Sequence, residues 1–317
     1  MTLAQSRPLG AGDSQLDAVP GIAFAALAFL AYATSDAIVK LLASRYPVAE
    51  IIVLHAGFAL IVVAGMVLRE GGLAGLWPRR PLLVALRGLL AGVGTIFTYH
   101  AFQRLPLADV YAIGFATPIL VTVLSVPLLG ETVGLHRWGA VIVGFAGILV
   151  MVRPGFVQPS IGHLMALCGA LCGAGVIIIL RQIGGRERAG TLVLSVLTGL
   201  LAVSLPVVAV DYNPMVAADL ALVAAAAAVM ALGQFSIVRA LRLAPAAVVA
   251  PVQYTMMPWA IVYGLLLFGT VVHLLVVVGA AIVIASSLYT LHRERRRGRT
   301  FSAHVPTGFA RVGTLIP

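Results

Sequence analysis

The chain has 317 residues, 61% of them hydrophobic and only 10% charged. A soluble domain carries about 25% charged residues to keep its surface wetted, so this composition excludes a globule in water and describes helices whose sides face lipid. The formal net charge is +10, but the basic residues lie in short loops and one tail with no patch of interleaved aromatics, which argues against a nucleic-acid interface and for anionic lipid.

Residues 1–20 are polar, with a lone Arg7 and two aspartates. They lack the basic and apolar regions of a cleaved secretory leader and read as a cytoplasmic segment, the first apolar run remaining as a signal anchor. A bilayer core takes about 20 mainly apolar residues per helix. Ten runs meet that test: Gly21–Leu42, Ala49–Leu68, Leu82–Phe102, Leu107–Leu129, Trp138–Met151, Ile161–Leu180, Thr191–Val210, Ala218–Val238, Ala246–Phe268 and Val271–Leu291. The fifth is short as drawn and is expected to start nearer Leu135. The connections are a few residues long, which predicts antiparallel neighbours in succession and no extramembrane domain.

With the N-terminus inside, all 21 Lys and Arg residues except Lys40, Arg45, Arg104 and Arg153 fall on the cytoplasmic side. This asymmetry predicts an even number of spans and both termini inside a bacterial inner membrane. Eight or twelve spans would keep the parity but suit neither the number nor the length of the runs. Residues 292–317 read as a basic cytoplasmic tail, the Arg293–Arg299 run anchoring on anionic lipid and residues 300–317 disordered.

The chain matches itself at a displacement of about 140 residues. Gly21 maps to Gly162, Lys40 to Arg181, Arg104-Leu105 to Arg242-Leu243, Pro118 to Pro258 and Gly139-Ala140 to Gly279-Ala280. Each half therefore holds five spans, residues 21–153 and 154–291, and an odd number per half turns the second copy upside down. The expected fold class is an all-α integral membrane protein of ten transmembrane helices in two inverted five-helix repeats, an arrangement typical of secondary transporters with a site near the midplane.

Residues 87–152 contain Arg87-Gly88, Leu105-Pro106-Leu107-Ala108, Thr117-Pro118, Leu128-Leu129-Gly130-Glu131 and Arg137-Trp138-Gly139-Ala140 followed by Gly144-Phe145-Ala146-Gly147. This stretch resembles the EamA domain of the drug/metabolite transporter superfamily, whose members carry two such five-helix domains. The second copy is degenerate, with Gly269-Thr270 where the first has Gly130-Glu131. The resemblance implies a mechanism class and leaves the substrate open, since relatives export amino acids, metabolites and drugs or import vitamins and other cofactors.

Ionisable side chains inside a bilayer cost several kcal/mol unless paired or hydrated, so each is a functional candidate. In the first span Tyr32, Asp36 and Lys40 share a face. Asp36 and Lys40 form an i,i+4 pair that can neutralise itself, while Lys40 can also snorkel to the interface. Asp36 lies deeper and is read as a solute or proton site. His55 and His100 titrate near physiological pH and join Asp36 as candidates for proton coupling; hydrogen-bonded helix contact is the other reading of both. Arg87 is assigned to head groups or a cytoplasmic acid, and Asp109 to the first turn of its helix.

Pro118 and Pro258 each remove a backbone donor mid-span and predict a kink, tolerated where protein or water re-satisfies the backbone. Tyr111, Phe115 and Pro118 share one face; Gln253, Tyr254, Met257 and Pro258 share another. With Thr95 and Tyr99 from the third span and Gln234 from the eighth they would line a central, modestly polar, aromatic pocket, unless they simply cement helix packing. The expected substrate-binding set is Tyr32, Asp36, Thr95, Tyr99, His100, Tyr111, Phe115, Pro118, Gln234, Gln253, Tyr254 and Pro258. Gly88-x-x-x-Gly92 and Gly169-x-x-x-Gly173 read as close-packing devices, and Cys168 and Cys172 as small packing residues without metal-site neighbours.

The leading expectation is a secondary transporter of a small metabolite or drug-like solute, working by alternating access and exporting. Uptake of a vitamin or amino-acid-like solute is the alternative, a non-transporting membrane partner a more distant one. Neither H-E-x-x-H, G-x-S-x-G nor a P-loop occurs, which argues against an enzyme or an ATP-driven pump. No cofactor or metal is expected. The partners are a small-molecule solute, the bilayer and protons as a coupling ion, in a monomer or homodimer.

Overall fold

A computed structural model describes residues 19–69, 77–131, 133–152, 160–183 and 187–296. The expected N-terminal segment, Arg153 and the basic tail beyond residue 296 lie outside them. Every element among the described residues is helical: α1 Val19–Ala43, α2 Val48–Arg69, α3 Pro81–Arg104, α4 Leu107–Gly114, α5 Thr117–Leu129, α6 Leu135–Val152, α7 Ile161–Ile183, α8 Ala189–Val208, α9 Ala217–Leu243, α10 Ala246–Val249, a 3₁₀ segment Ala250–Thr255, α11 Met256–Phe268 and α12 Leu274–Arg296. The ten expected spans are all present, the fourth made of α4 and α5 and the ninth of α10, the 3₁₀ segment and α11. The fifth begins at Leu135, as its sequence requires. At about 1.5 Å per residue, the 25 residues of α1 cross a ~30 Å hydrocarbon core with room for tilt.

Large apolar side chains such as Leu82, Ile142, Phe145 and Leu266 point outward. In water such a surface would aggregate; here it is the lipid-facing side. At several helix crossings inside, small residues let the backbones approach closely. A Cβ placed on Gly88 would fall on the Ser195 carbonyl of α8, and one on Gly199 of α8 would fall on Gly88. Gly147 of α6 and Gly279 of α12 meet in the same way.

Successive helices are not the main neighbours, contrary to the expectation from short connections. α1 packs along α9, α3 along α7 and α8, α2 along α8, and α6 along α12. Short loops limit how far consecutive helices can separate but not which faces pack. Close approaches at glycines such as Gly88, Gly94, Gly147 and Gly233 bring these non-consecutive helices together. The pairing also survives exchange of the first five spans with the last five: α1–α9 becomes α7–α3, α2–α9 becomes α8–α3, and α6–α12 and α2–α8 map onto themselves.

The fourth and ninth spans are built alike. Leu105 before Pro106 and Ala244 before Pro245 both adopt extended backbone and end α3 and α9, because a proline drives its predecessor out of the helical region. Both spans then break midway, at Phe115–Ala116 and over the 3₁₀ residues Ala250–Thr255, just ahead of Pro118 and Pro258. Both end on a left-handed glycine, Gly130 at φ 67° and Gly269 at φ 60°, the backbone that only glycine adopts without strain.

Candidate functional site

The two ends of the bundle differ. At one end, called here the Lys40 face, polar contacts close the helices together. Proline 106 has no N–H, so the Phe102 carbonyl four residues earlier has no helical donor. Lys40 Nζ supplies one, donating to the Phe102 carbonyl and to the Leu105 carbonyl at 2.7 Å, while lying 5.1 Å from the centroid of the Phe268 ring. Lys40 therefore does not snorkel, and it does not neutralise Asp36. Nearby, Tyr46 donates to Asp219 at 2.8 Å, Arg45 pairs with the same carboxylate at 3.4 Å, and the Asn213 amide donates to Glu50 at 3.1 Å. The Asp219 hydrogen bond raises the Tyr46 phenol above its ordinary pKa, since losing that proton would set two anions in contact.

One turn below Lys40, Asp36 Oδ2 accepts a hydrogen bond of 2.8 Å from the Tyr111 hydroxyl of α4. Among the described residues no cation lies within ion-pair distance of it. Aromatic rings adjoin the pair: Tyr99 lies tilted against Phe102 at 5.9 Å, and Phe102 meets Tyr111 edge to face at 6.2 Å. Thr34 spends its proton on the Leu30 carbonyl, so the Tyr263 hydroxyl 2.7 Å away is the donor to it. At the break in the fourth span, Phe115 meets Tyr254 of the 3₁₀ segment edge to face at 5.1 Å. Tyr99 of α3 and Tyr111 of α4 thus come close to the acid on α1, while the 3₁₀ segment and α11 pack against Phe115 and Thr34 nearby.

The other sequence-derived candidates scatter. Tyr32 lies at the α1–α9 crossing against Gly233, and Gln234 beside it is exposed. Thr95 bonds back to the Ala91 carbonyl in its own helix. His100 sits at the rim with Nδ1 2.9 Å from Gln103 Oε1. His55 is buried, 3.4 Å from Ser35 Oγ and in contact with the Ala226 carbonyl of α9, a bridge among three helices. Gln253 is half-buried beside Tyr254, and Pro118 and Pro258 are exposed at the breaks. Arg87 faces neither head groups nor an acid: it donates to the Leu192 carbonyl at 2.7 Å and to Ser195 at 3.1 Å, tying α3 to α8. Asp109 does lie in the first turn of α4. Cys168 and Cys172 are free thiols, Cys172 packed against Gly94.

A cavity of about 230 Å³ occupies the opposite half of the bundle between α5, α6, α7 and α12, bounded by Pro118, Thr122, Ser125, Glu131, Arg181 and Ser287. Arg181 Nη1 and Glu131 Oε1 stand 3.7 Å apart at this end, the Arg181 face. Sequence reasoning passed over Tyr263, Glu131 and Arg181. The signal for Arg181 was its alignment with Lys40 in the internal repeat; nothing in the sequence separated Tyr263 from a packing aromatic.

A helical bundle with apolar sides, two similarly broken spans and a half-buried acid hydrogen-bonded to one of them has the build of a membrane solute carrier. Residues 19–153 match the model of the EamA-like transporter family, which supports the resemblance to the drug/metabolite transporter superfamily. It is 24% identical over 270 residues to the pseudopaline exporter CntI of Pseudomonas aeruginosa, covering 84% of this chain and 94% of that protein. It is 26% identical to the riboflavin transporter of Rhizobium johnstonii (89% and 94% covered) and 25% identical to the S-adenosylmethionine uptake transporter of Rickettsia prowazekii (87% and 94%). A solved crystal structure superposes with a TM-score of 0.56 at 18% identity, covering 91% of this chain and 100% of the other, which shows the fold. These relatives are transporters and not enzymes, and this chain is a multi-pass membrane transporter of a small-molecule solute.

Proposed function

We propose that the chain is a secondary exporter of a small organic solute, with residues 21–153 and 154–291 as inverted five-span repeats that rock about a site at Asp36. Support for the repeats comes from the helix pairing that survives exchange of halves and from the matched breaks in spans four and nine. The carrying observation is the Asp36–Tyr111 hydrogen bond of 2.8 Å from the first span to the broken fourth span, with no counter-ion within ion-pair distance among the described residues. A carboxylate in that setting costs several kcal/mol unless a proton or a cationic group joins it. Asp36 then alternates between a proton and the solute, which couples transport to the proton gradient. His55 and His100 have weaker support, being held in other contacts.

Direction rests on charge and on the cavity. The Lys and Arg asymmetry supports a cytoplasmic Arg181 face and cytoplasmic termini, and a cavity at that face is suited to loading solute from inside. A second reading, uptake of a vitamin-like or amino-acid-like solute, draws on the relatives named for riboflavin and S-adenosylmethionine.

Flux in proteoliposomes tests both readings, with solutes first chosen by thermal shift from amino acids, nucleosides, vitamins and cationic dyes. Asp36→Asn should lower flux about 10–100-fold, the size of a charge-assisted hydrogen bond of ~1.5–3 kcal/mol, and should abolish its response to a pH gradient. Equal flux and equal pH response in variant and wild type would overturn the assignment of Asp36.

A further inference from the structure

The seam between α6 and α12 carries a groove on its outer side. Towards the Lys40 face the two helices touch at Gly147 and Gly279, with no room for a side chain between them. Towards the Arg181 face they leave a space of about 560 Å³. Its floor is Ala140 and Ser286, both buried and joined by the Ser286 hydroxyl donating to the Ala140 carbonyl at 2.6 Å. That bond separates the groove from the inner cavity, which the same two residues bound from the other side. The walls, Leu135, Gly139 and Val143 of α6 with Ala285 of α12, are exposed and apolar, and a Cβ on Gly139 would meet no atom within 4 Å.

Polarity changes along the groove. His136 and Tyr289, both exposed, stand at its Arg181-face end, and Val143 lies about 10 Å deeper, seven residues on at ~1.5 Å each. Arg137 follows His136 in the first turn of α6, and α12 runs on past Tyr289 through His292, Arg293, Arg295 and Arg296. Basic helix ends over an apolar slot match a phospholipid, its chain in the slot and its phosphate at the basic end. A second copy of this chain fits worse. Both copies must share one orientation in the membrane, so a two-fold contact here would set basic end against basic end.

We propose that this groove is a binding site for one anionic phospholipid of the leaflet bordering the Arg181 face, whose acyl chain seals the α6–α12 seam over the Ser286–Ala140 bond. The volume lies within the ~300–1,000 Å³ of ligand sites, and each basic residue near an anionic lipid surface is worth about fivefold in affinity. A zwitterionic lipid fills the slot as well but lacks the net charge, so head-group preference is the mark of the site. The inference is independent of what the carrier moves and in which direction.

Native mass spectrometry and thermal unfolding of the delipidated full-length chain in detergent test it, with dioleoylphosphatidylglycerol, dioleoylphosphatidylcholine and free glycerol phosphate as probes. One phosphatidylglycerol should be retained, and should raise the midpoint, at concentrations about tenfold or more below those phosphatidylcholine needs; glycerol phosphate should do neither. Gly139→Leu and Val143→Trp, which fill the groove from its open side, should each lose the retained lipid, while Ile142→Phe, exposed to lipid outside the groove, should keep it. Arg137→Gln combined with Arg293→Gln should lower the preference for phosphatidylglycerol about tenfold and leave phosphatidylcholine binding as it was. Equal retention of the two lipids, retention unchanged in both groove variants, or a response to glycerol phosphate alone would overturn the proposal. So would a dimer that lipid fails to displace and Gly139→Leu abolishes, the mark of a second copy on this face.

Discussion

Spans four and nine occupy equivalent places in the two halves, share a proline-terminated approach, a midway break and a left-handed glycine at the end, and yet close one face and leave the other open. The residues after the break account for this. Trp259 follows Pro258 where Ile119 follows Pro118, and α11 ends on Phe268 where α5 ends on Leu129. Trp259 and Tyr263 stack at 6.3 Å and Phe268 packs beside Lys40, so rings fill the Lys40 face. After the glycine comes Thr270, whose hydroxyl returns to the Gly264 carbonyl at 2.9 Å, where α5 presents Glu131 to Arg181. One backbone design thus serves as a plug when its side chains are aromatic and as a vestibule when they are small and polar.

The sharpest way to break this comparison is to remove the matched cations. Lys40→Met strands the Phe102 and Leu105 carbonyls inside the protein, and hydrogen bonds to a charged donor are worth ~1.5–3 kcal/mol each; a loss of about 3 kcal/mol or more is expected in detergent denaturation. Arg181→Met removes a solvent-accessible pair and should cost about 1 kcal/mol or less. Equal losses would mean the two faces are held in the same way. A smaller effect should be shared: Gly130→Ala and Gly269→Ala, each with open space for the new methyl group, should cost ~1 kcal/mol apiece through backbone strain. A large difference between them would show that the two turns are not equivalent.

The smallest effect depends on pH and belongs to the Lys40 face. The Tyr46 phenol is raised in the folded protein by its hydrogen bond to Asp219. A raised value adds stability while the group is protonated in both states, below the ordinary tyrosine value near 10, and the gain is lost as pH climbs through the folded value. Wild type should therefore be more stable than Tyr46→Phe at pH 7 to 9, with the margin gone in stronger alkali. A margin that grows with pH would contradict the assignment.

The ten spans and their breaks were readable because lipid leaves few choices: a backbone in hydrocarbon must be helical, and Pro118 and Pro258 interrupt it for reasons local to the chain. Partner choice was not readable, since a leucine facing lipid and a leucine facing protein look the same in sequence. Lys40 shows the cost of reasoning within one helix. Its nearest acid in sequence is Asp36, but the stronger demand came from a carbonyl that Pro106 left without a donor on another helix. Tyr111 and Asp36 were picked out because intramembrane polar groups are rare; Gln234, chosen by the same logic, stands one position round the helix from the Gly233 that makes the contact. The vestibule was missed because Glu131 and Arg181 lie 50 positions apart at helix ends, where each reads as an ordinary interfacial charge.

The cross-half pairing of α1 with α9 and of α3 with α7 also bears on biosynthesis. The ribosome delivers the amino-terminal spans long before their partners exist, so Gly88 and the small-residue face of α1 must wait in lipid until the carboxy-terminal spans emerge. Chain release, rather than insertion of each hairpin, becomes the moment of tertiary assembly, and a fragment cut after span five would reach the membrane with its interior stripes bare.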